Sequence, residues 1–266
     1  GDELPLTSTT LKMISDRTLM PSYSVFYHVP LAVYFYLPFF ILFLLFLRLS
    51  AAFTSLQAIK EFGIIDFHKF LPLARFLTIL MAVFSIYLLY KICEKLFNNK
   101  WISLLASFLL SSSLMFVQMS HFAKVWMPQL MVVLIAFYFI VILYQLEAAK
   151  AKNYILVGLA IGLALGTHVI GVLIYISFAV AHYLKNSSQK FKDIFFTNKY
   201  FWLVNLIIVF FYFLTLFLNP RGFHNYINRD GGILPNFNFL FESAAVVNGS
   251  ANNNLFLKVV GSFRNF

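Results

Sequence analysis

The chain has 266 residues, 61% of them apolar and only 11% charged, with a mean hydropathy of +0.82. Soluble domains sit near 45–50% apolar and about 25% charged, so a water-soluble globular domain is excluded. The net charge of +10, from 20 Lys and Arg against 10 Asp and Glu, falls between apolar runs and fits bilayer-orienting loop charge better than a nucleic-acid surface.

Asp2 and Glu3 open the chain, followed by a polar, amphipathic stretch to about Ser24 and then Tyr27-His28-Val29-Pro30-Leu31. Residues 1–28 are expected to form an outer-face loop carrying the acidic pair, and 29–218 a transmembrane helical region. The fold class that follows is an all-α, polytopic transmembrane bundle of about six or seven membrane segments. Stretches free of Asp, Glu, Lys and Arg run 18–47, 76–90, 101–123, 125–146, 153–184 and 200–220. A membrane helix needs roughly 20 residues to cross a ~30 Å hydrocarbon core.

In the first stretch, apolar from about 29 to 47, Pro30 suits a helix start and Pro38 predicts a kink. The 76–90 stretch reaches span length if it extends through Arg75 to Phe70, with that Arg at an interface. Stretches 101–123, 125–146 and 200–220 predict one span each. The 153–184 stretch would be ~48 Å long as one helix. Gly158, Gly162, Gly166 and Gly171 punctuate it around Thr167-His168, and either one tilted helix or two short ones meeting near His168 would fit.

Three lysine clusters set the orientation: Lys91, Lys95 and Lys100; Lys150 and Lys152; Lys185, Lys190, Lys192 and Lys199. All three are cytoplasmic if 101–146 is an out-and-back pair and 153–184 a second one. That preferred arrangement puts Ser120–Lys124, Thr167-His168 and the 219–266 tail outside. A single span over 153–184 divides the clusters between the two sides. With the N-terminus outside, segment 29–49 must be re-entrant or interfacial, or 50–70 must return across the membrane. The Asn-rich 219–266 tail reads as an outer-face loop or the start of a truncated C-terminal part, and the start at Gly1 suggests missing upstream sequence.

Few polar groups are placed for chemistry. An outward carboxylate at Asp2 or Glu3 could deprotonate an acceptor hydroxyl as general base, against the plainer reading of a solvated terminus. Arg75 interrupts an apolar stretch, which makes it a functional candidate unless it only snorkels to headgroups. His121 and Lys124 could bind a phosphate or form an ordinary basic loop. His168 could act in a site or sit buried and neutral, while His28 and His182 carry weaker signals. Asn248-Gly249-Ser250 matches a glycosylation sequon to which no weight attaches. The single Cys93 excludes an internal disulfide and a cysteine-built zinc site. No Walker loop, dinucleotide glycine pattern, HExxH or Gly-x-Ser-x-Gly occurs, so a substrate is expected to be lipid-borne or membrane-crossing.

The ordered set of features resembles the polytopic glycosyltransferases of the GT-C fold, in the branch of the protein O-mannosyltransferases and aminoarabinose lipid A transferases. Gly1-Asp2-Glu3 looks like that family's acidic pair, and Tyr27-His28-Val29-Pro30-Leu31 its aromatic-His/Lys-Pro-Pro-Leu stretch, with Val29 at the first proline. Leu73-Ala74-Arg75-Phe76 through Tyr90-Lys91 and then Asn98-Asn99-Lys100 is similar to its Ala-Arg-Leu helix and basic turn. Ser120 through Pro128 is similar to its outer Arg-x-x-x-Asp-Pro turn, with Trp126 near the family's Asp. Gly158 through His168 echoes its Gly-Leu-x-x-Gly-Leu-x-x-x-Thr-Lys stretch, with His168 at the Lys. The likeness covers about 1–185; the family's first membrane helix and much of its C-terminal half have no counterpart, so the piece can be inactive while its parent enzyme works.

The resemblance implies hexosyl or pentosyl transfer from a polyprenyl-phosphate sugar to an acceptor hydroxyl on the outer face, with inversion. Asp2, with Glu3, would be the base; Arg75, His121, Lys124 and His168 would hold the donor phosphate, and Tyr27 and His28 would touch donor or acceptor. The expected partners are the lipid-phosphate sugar, a glycan, lipid or protein acceptor, and membrane lipid, with no nucleic acid. No metal ligands are assigned, and a divalent metal stays open. The expected location is a multi-pass protein of a bacterial inner or plasma membrane. A transporter or channel fragment is the alternative, and a non-catalytic membrane scaffold a third reading.

Overall fold

A computed structural model describes residues 3–21, 30–50 and 67–218, which all belong to one unit spanning 1–220. Every regular element among the described residues is helical. Asp2, Tyr27, His28, segment 51–66, the Asn248 sequon and the whole 219–266 tail lie outside them.

Helix α1 spans Glu3–Ser15. After the undescribed stretch, a 3-10 turn over Pro30–Phe35 starts at the proline, as expected. Helix α2 follows over Leu37–Leu49. Pro38 kinks nothing: it stands in the first turn of α2, where its missing N–H has no partner to lose, so the chain breaks ahead of it. At 13 residues, α2 is ~20 Å long and too short to cross a bilayer.

Helix α3, Leu71–Phe97, begins directly after Phe70 and runs past Lys91, Glu94 and Lys95, whose charges sit in its last two turns. It ends at Asn98, which takes the left-handed conformation (φ 48°) that asparagine tolerates. Asn99 then caps α4 (Lys100–Ser112), its Oδ1 accepting from Trp101 N at 2.9 Å and Ile102 N at 3.3 Å. The face of α4 that carries Ser103 and Ser107 is buried, with Ser107 Oγ donating to Ile86 O of α3 at 3.4 Å. Leu104, Leu105, Phe108 and Leu109 are exposed. Small polar residues between helices and large apolar ones outside is the arrangement lipid favours.

The 101–123 stretch is not one straight span. It breaks at Ser113 into α4 and a short α5 (Leu114–Ser120), bent by 65°. Helix α6, Trp126–Gln145, matches its expected stretch closely. The 153–184 stretch resolves as two pieces: α7 (Ala151–Thr167), an extended His168 (φ −160°, ψ 141°), a 3-10 turn over Val169–Leu173, and α8 (Ile174–Lys185). A π turn over Asp193–Thr197 leads to α9, Lys199–Leu218.

Among the described residues two helices, α3 and α6, are long and apolar enough to cross a membrane, or three if the bent α4–α5 pair is one broken span rather than a re-entrant loop. Four shorter apolar helices accompany them among the described residues. The chain is thus an all-α, polytopic membrane bundle.

Glycines fix how α7 meets α9. A Cβ on Gly158 would meet Ile207, one on Gly162 would meet Phe211, and one on Gly166 would meet Leu31 and Thr215. Each step of four along α7 is matched by a step of four along α9, so the two run parallel at close range. Side-chain bonds then tie one end of the bundle: Gln145 Nε2 donates to Lys95 O and Lys185 Nζ to Leu146 O. The ends of α3, α6 and α8 therefore share that lysine-rich end with the starts of α4, α7 and α9.

Candidate functional site

At the opposite end, one apolar cluster joins four parts of the chain. Leu6, Leu11 and Met13 of α1, Tyr36 and Phe40, Phe70 together with Ala74 and Leu77 of the adjoining α3, and Ala123 form one buried cluster. Tyr36 Oη lies 3.1 Å from Thr78 Oγ1 within it. Because Ala74 and Ala123 belong to the same cluster, their neighbours Arg75 and Lys124 are brought to the same end of the molecule. Arg75 is exposed, and Lys124 is half-buried with its Nζ 5.7 Å from the Phe122 ring centroid.

His168 joins the same end through Trp126. The two rings lie 5.3 Å apart, tilted by 37°, and link the start of α6 to the break after α7. His168 Nδ1 accepts the Ile170 N–H at 3.2 Å, so its neutral ring carries the proton on Nε2. That is the tautomer that can donate to a phosphate oxygen. Burial holds its pKa below the ordinary histidine value. His121, exposed at the end of α5, has the reverse arrangement: Nδ1 donates to Val117 O at 2.7 Å, leaving Nε2 an acceptor in the neutral ring. It donates to an anion from Nε2 only as imidazolium.

Trp126 also borders an apolar cavity of ≈ 370 Å³ at the α4–α5 bend, with Leu110, Phe116, Met119, Met127 and Leu130 in its wall. Trp126 thus both lines the apolar groove and contacts the His168 imidazole.

Among the expected site residues, the structure brings Arg75, Lys124, His121 and His168 to one end. Glu3 begins α1, whose later residues pack at this end, but its side chain lies outside the description with Asp2, Tyr27 and His28. His182 is fully buried near the other end, with Nε2 3.1 Å from Ile194 O. Among the described residues no three of His, Cys, Asp and Glu come together to hold a metal ion. Sequence reasoning missed Gln129, a buried amide in the first turn of α6. Its signal was an amide near the start of the 125–146 stretch, well inside from the far end that Gln145 marks.

The family model described as dolichyl-phosphate-mannose-protein mannosyltransferase matches residues 63–217. The chain belongs to this family. It is accordingly a membrane glycosyltransferase of the mannosyltransferase type. No curated protein and no solved structure matches the chain. The mannosyltransferase match covers more than half of the 266 residues and takes in Arg75, His121, Lys124, Gln129 and His168. Asp2, Glu3, Tyr27 and His28 precede it.

Proposed function

We propose that this mannosyltransferase-family chain moves a sugar from a polyprenyl phosphate to an acceptor hydroxyl on the outer face of the membrane. The observation that carries the reading is the gathering of Arg75, Lys124 and His168 at the end opposite the lysine clusters, beside an apolar groove. A lipid-phosphate sugar has the matching parts: a greasy chain for the groove, and a charged phosphate for the cations.

In the proposed reaction, the Asp2 carboxylate, aided by Glu3, takes the proton of the acceptor hydroxyl. That oxygen attacks the anomeric carbon, and the bond from that carbon to the phosphate oxygen breaks. The lipid phosphate leaves with both electrons of that bond. Arg75 and Lys124 supply fixed positive charge to the leaving phosphate, and the neutral His168 donates from Nε2. One base and one displacement give inversion. Tyr27 and His28 would border the acceptor or donor. A transporter would concentrate ionisable groups near the bilayer midplane, whereas these sit at a bundle end.

The test is transfer from radiolabelled polyprenyl-phosphate mannose by the intact protein in proteoliposomes. Lys124→Gln and Arg75→Gln are each expected to raise the donor KM about tenfold, and Asp2→Asn to lower kcat by about 10²–10⁴ with the donor KM little changed. Variants indistinguishable from wild type would sink these assignments.

A further inference from the structure

Gln129 lies three residues beyond Trp126 in α6. Only 7% of it is exposed, and neither Oε1 nor Nε2 has a hydrogen-bond partner. An amide kept from water without a partner is unfavourable, and most of all inside a membrane helix. Side chains on a helix lean toward its N-terminus, so this amide belongs with Trp126 and the 121–125 link.

The Val169–Leu173 turn closes over it. Gly171 is the buried residue of that turn, while Val169, Ile170, Val172 and Leu173 are exposed. A Cβ on Gly171 would stand 2.7 Å from Gln129 Nε2 and 2.1 Å from Ala164 O. Glycine thus lets the broken backbone press against the amide and keep it dry.

We propose that Gln129 reads the transferred sugar. The proposal rests on the polyprenyl-phosphate-sugar reading above. An amide carries a donor and an acceptor in one plane, which pairs with adjacent hydroxyls of a sugar ring. Trp126, 41% exposed beside His168, offers an aromatic face to the apolar side of the same ring. With the phosphate held between Lys124 and His168, the sugar attached to it reaches the first turn of α6. The five-residue turn over Gly171 gives way as the sugar enters, and the hydroxyls take up the unpaired amide. Gln129 is then a specificity contact that selects which hydroxyl pattern is transferred.

The test measures donor kcat/KM for the intact protein in proteoliposomes, first across polyprenyl-phosphate hexoses and pentoses, then across mono-deoxy analogues of the sugar used. Removing the hydroxyl that Gln129 contacts is expected to cost wild type at least tenfold. Gln129→Leu is expected to lose a similar factor with the parent sugar and to be indifferent to that same deoxygenation. Its thermal stability should hold or rise, because no native hydrogen bond is lost; a structural amide would make it fall. A flat deoxy series in wild type, or full activity of Gln129→Leu with the parent sugar, overturns the proposal. Absence of transfer from every polyprenyl-phosphate sugar by wild type overturns the underlying reading first, and this inference with it.

Discussion

At His168, the Nδ1 lone pair accepts the Ile170 N–H at 3.2 Å, and burial holds the ring pKa below its ordinary value of 6.5. Protonating Nδ1 would set two N–H groups against each other. The unfolded chain therefore takes up the proton first as pH falls. Stability from the neutral ring is fully present above about pH 6.5 and declines as pH drops below it. Thermal unfolding in detergent should show this as a fall in Tm between pH 7.5 and 5.5. His168→Gln, which keeps an acceptor but cannot titrate, should flatten that slope; equal slopes in both proteins would refute the assignment. His168, Lys124 and Arg75 could be picked out in the sequence because each interrupts or borders an apolar stretch. Their convergence could not, because it depends on Ala74 and Ala123 burying in one cluster and on Trp126 meeting His168. Gln129 escaped notice for the opposite reason. An amide carries no charge, so it leaves a charge-free stretch intact.

At the scale of helices, the tightest requirement is the glycine face of α7. A Cβ on Gly162 would lie 2.5 Å from Cδ2, 2.6 Å from Cγ and 3.0 Å from Cβ of Phe211. Those atoms are the root of a ring on α9, and they cannot swing away. A Cβ on Gly158 would come no closer than 3.1 Å, to the terminal Cδ1 of Ile207. Gly162→Ala is therefore expected to destabilise by about 1–3 kcal/mol through overpacking, and Gly158→Ala by clearly less. The comparison is a pair of thermal melts in one detergent, and equal losses would contradict the packing. The starts of α4, α6, α7 and α9 and the end of α8 were legible as charge boundaries, since a Lys ends an apolar run where the helix meets polar surroundings, whereas α3 runs on past Lys91 and Lys95. The α4–α5 bend was not legible that way, because no charge marks it. Ser111, Ser112 and Ser113 do: Ser111 Oγ donates to Phe108 O and Ser112 Oγ to Phe108 O and Leu109 O, while Ser113 adopts extended backbone. Serine hydroxyls bonding back to helix carbonyls bend helices. Pro38 was misread for a related reason, since proline breaks a helix only where a preceding turn exists to be broken.

For the whole molecule, the separation of two kinds of cation makes the orientation testable. The bonds from Gln145 to Lys95 and from Lys185 to Leu146 hold the loops after α3, α6 and α8 together. That end collects Lys91, Lys95, Lys100, Lys150, Lys152, Lys185, Lys190, Lys192 and Lys199, all beside short links where lysine most strongly retains a loop in the cytoplasm. If that end is cytoplasmic, the Arg75, Lys124 and His168 end faces outward, as the proposed outer-face transfer requires. A single cysteine reports it. In a Cys93→Ser background, Phe122→Cys samples the link before Lys124, and Ser187→Cys samples the loop after α8, both at exposed positions. A membrane-impermeant maleimide added to intact cells should label Phe122→Cys, and should label Ser187→Cys only after the membrane is opened. The reverse pattern would place the candidate site in the cytoplasm. Outer-face chemistry would fall with it, while the helix packing and the family membership would stand, because neither depends on which side of the bilayer the lysines occupy.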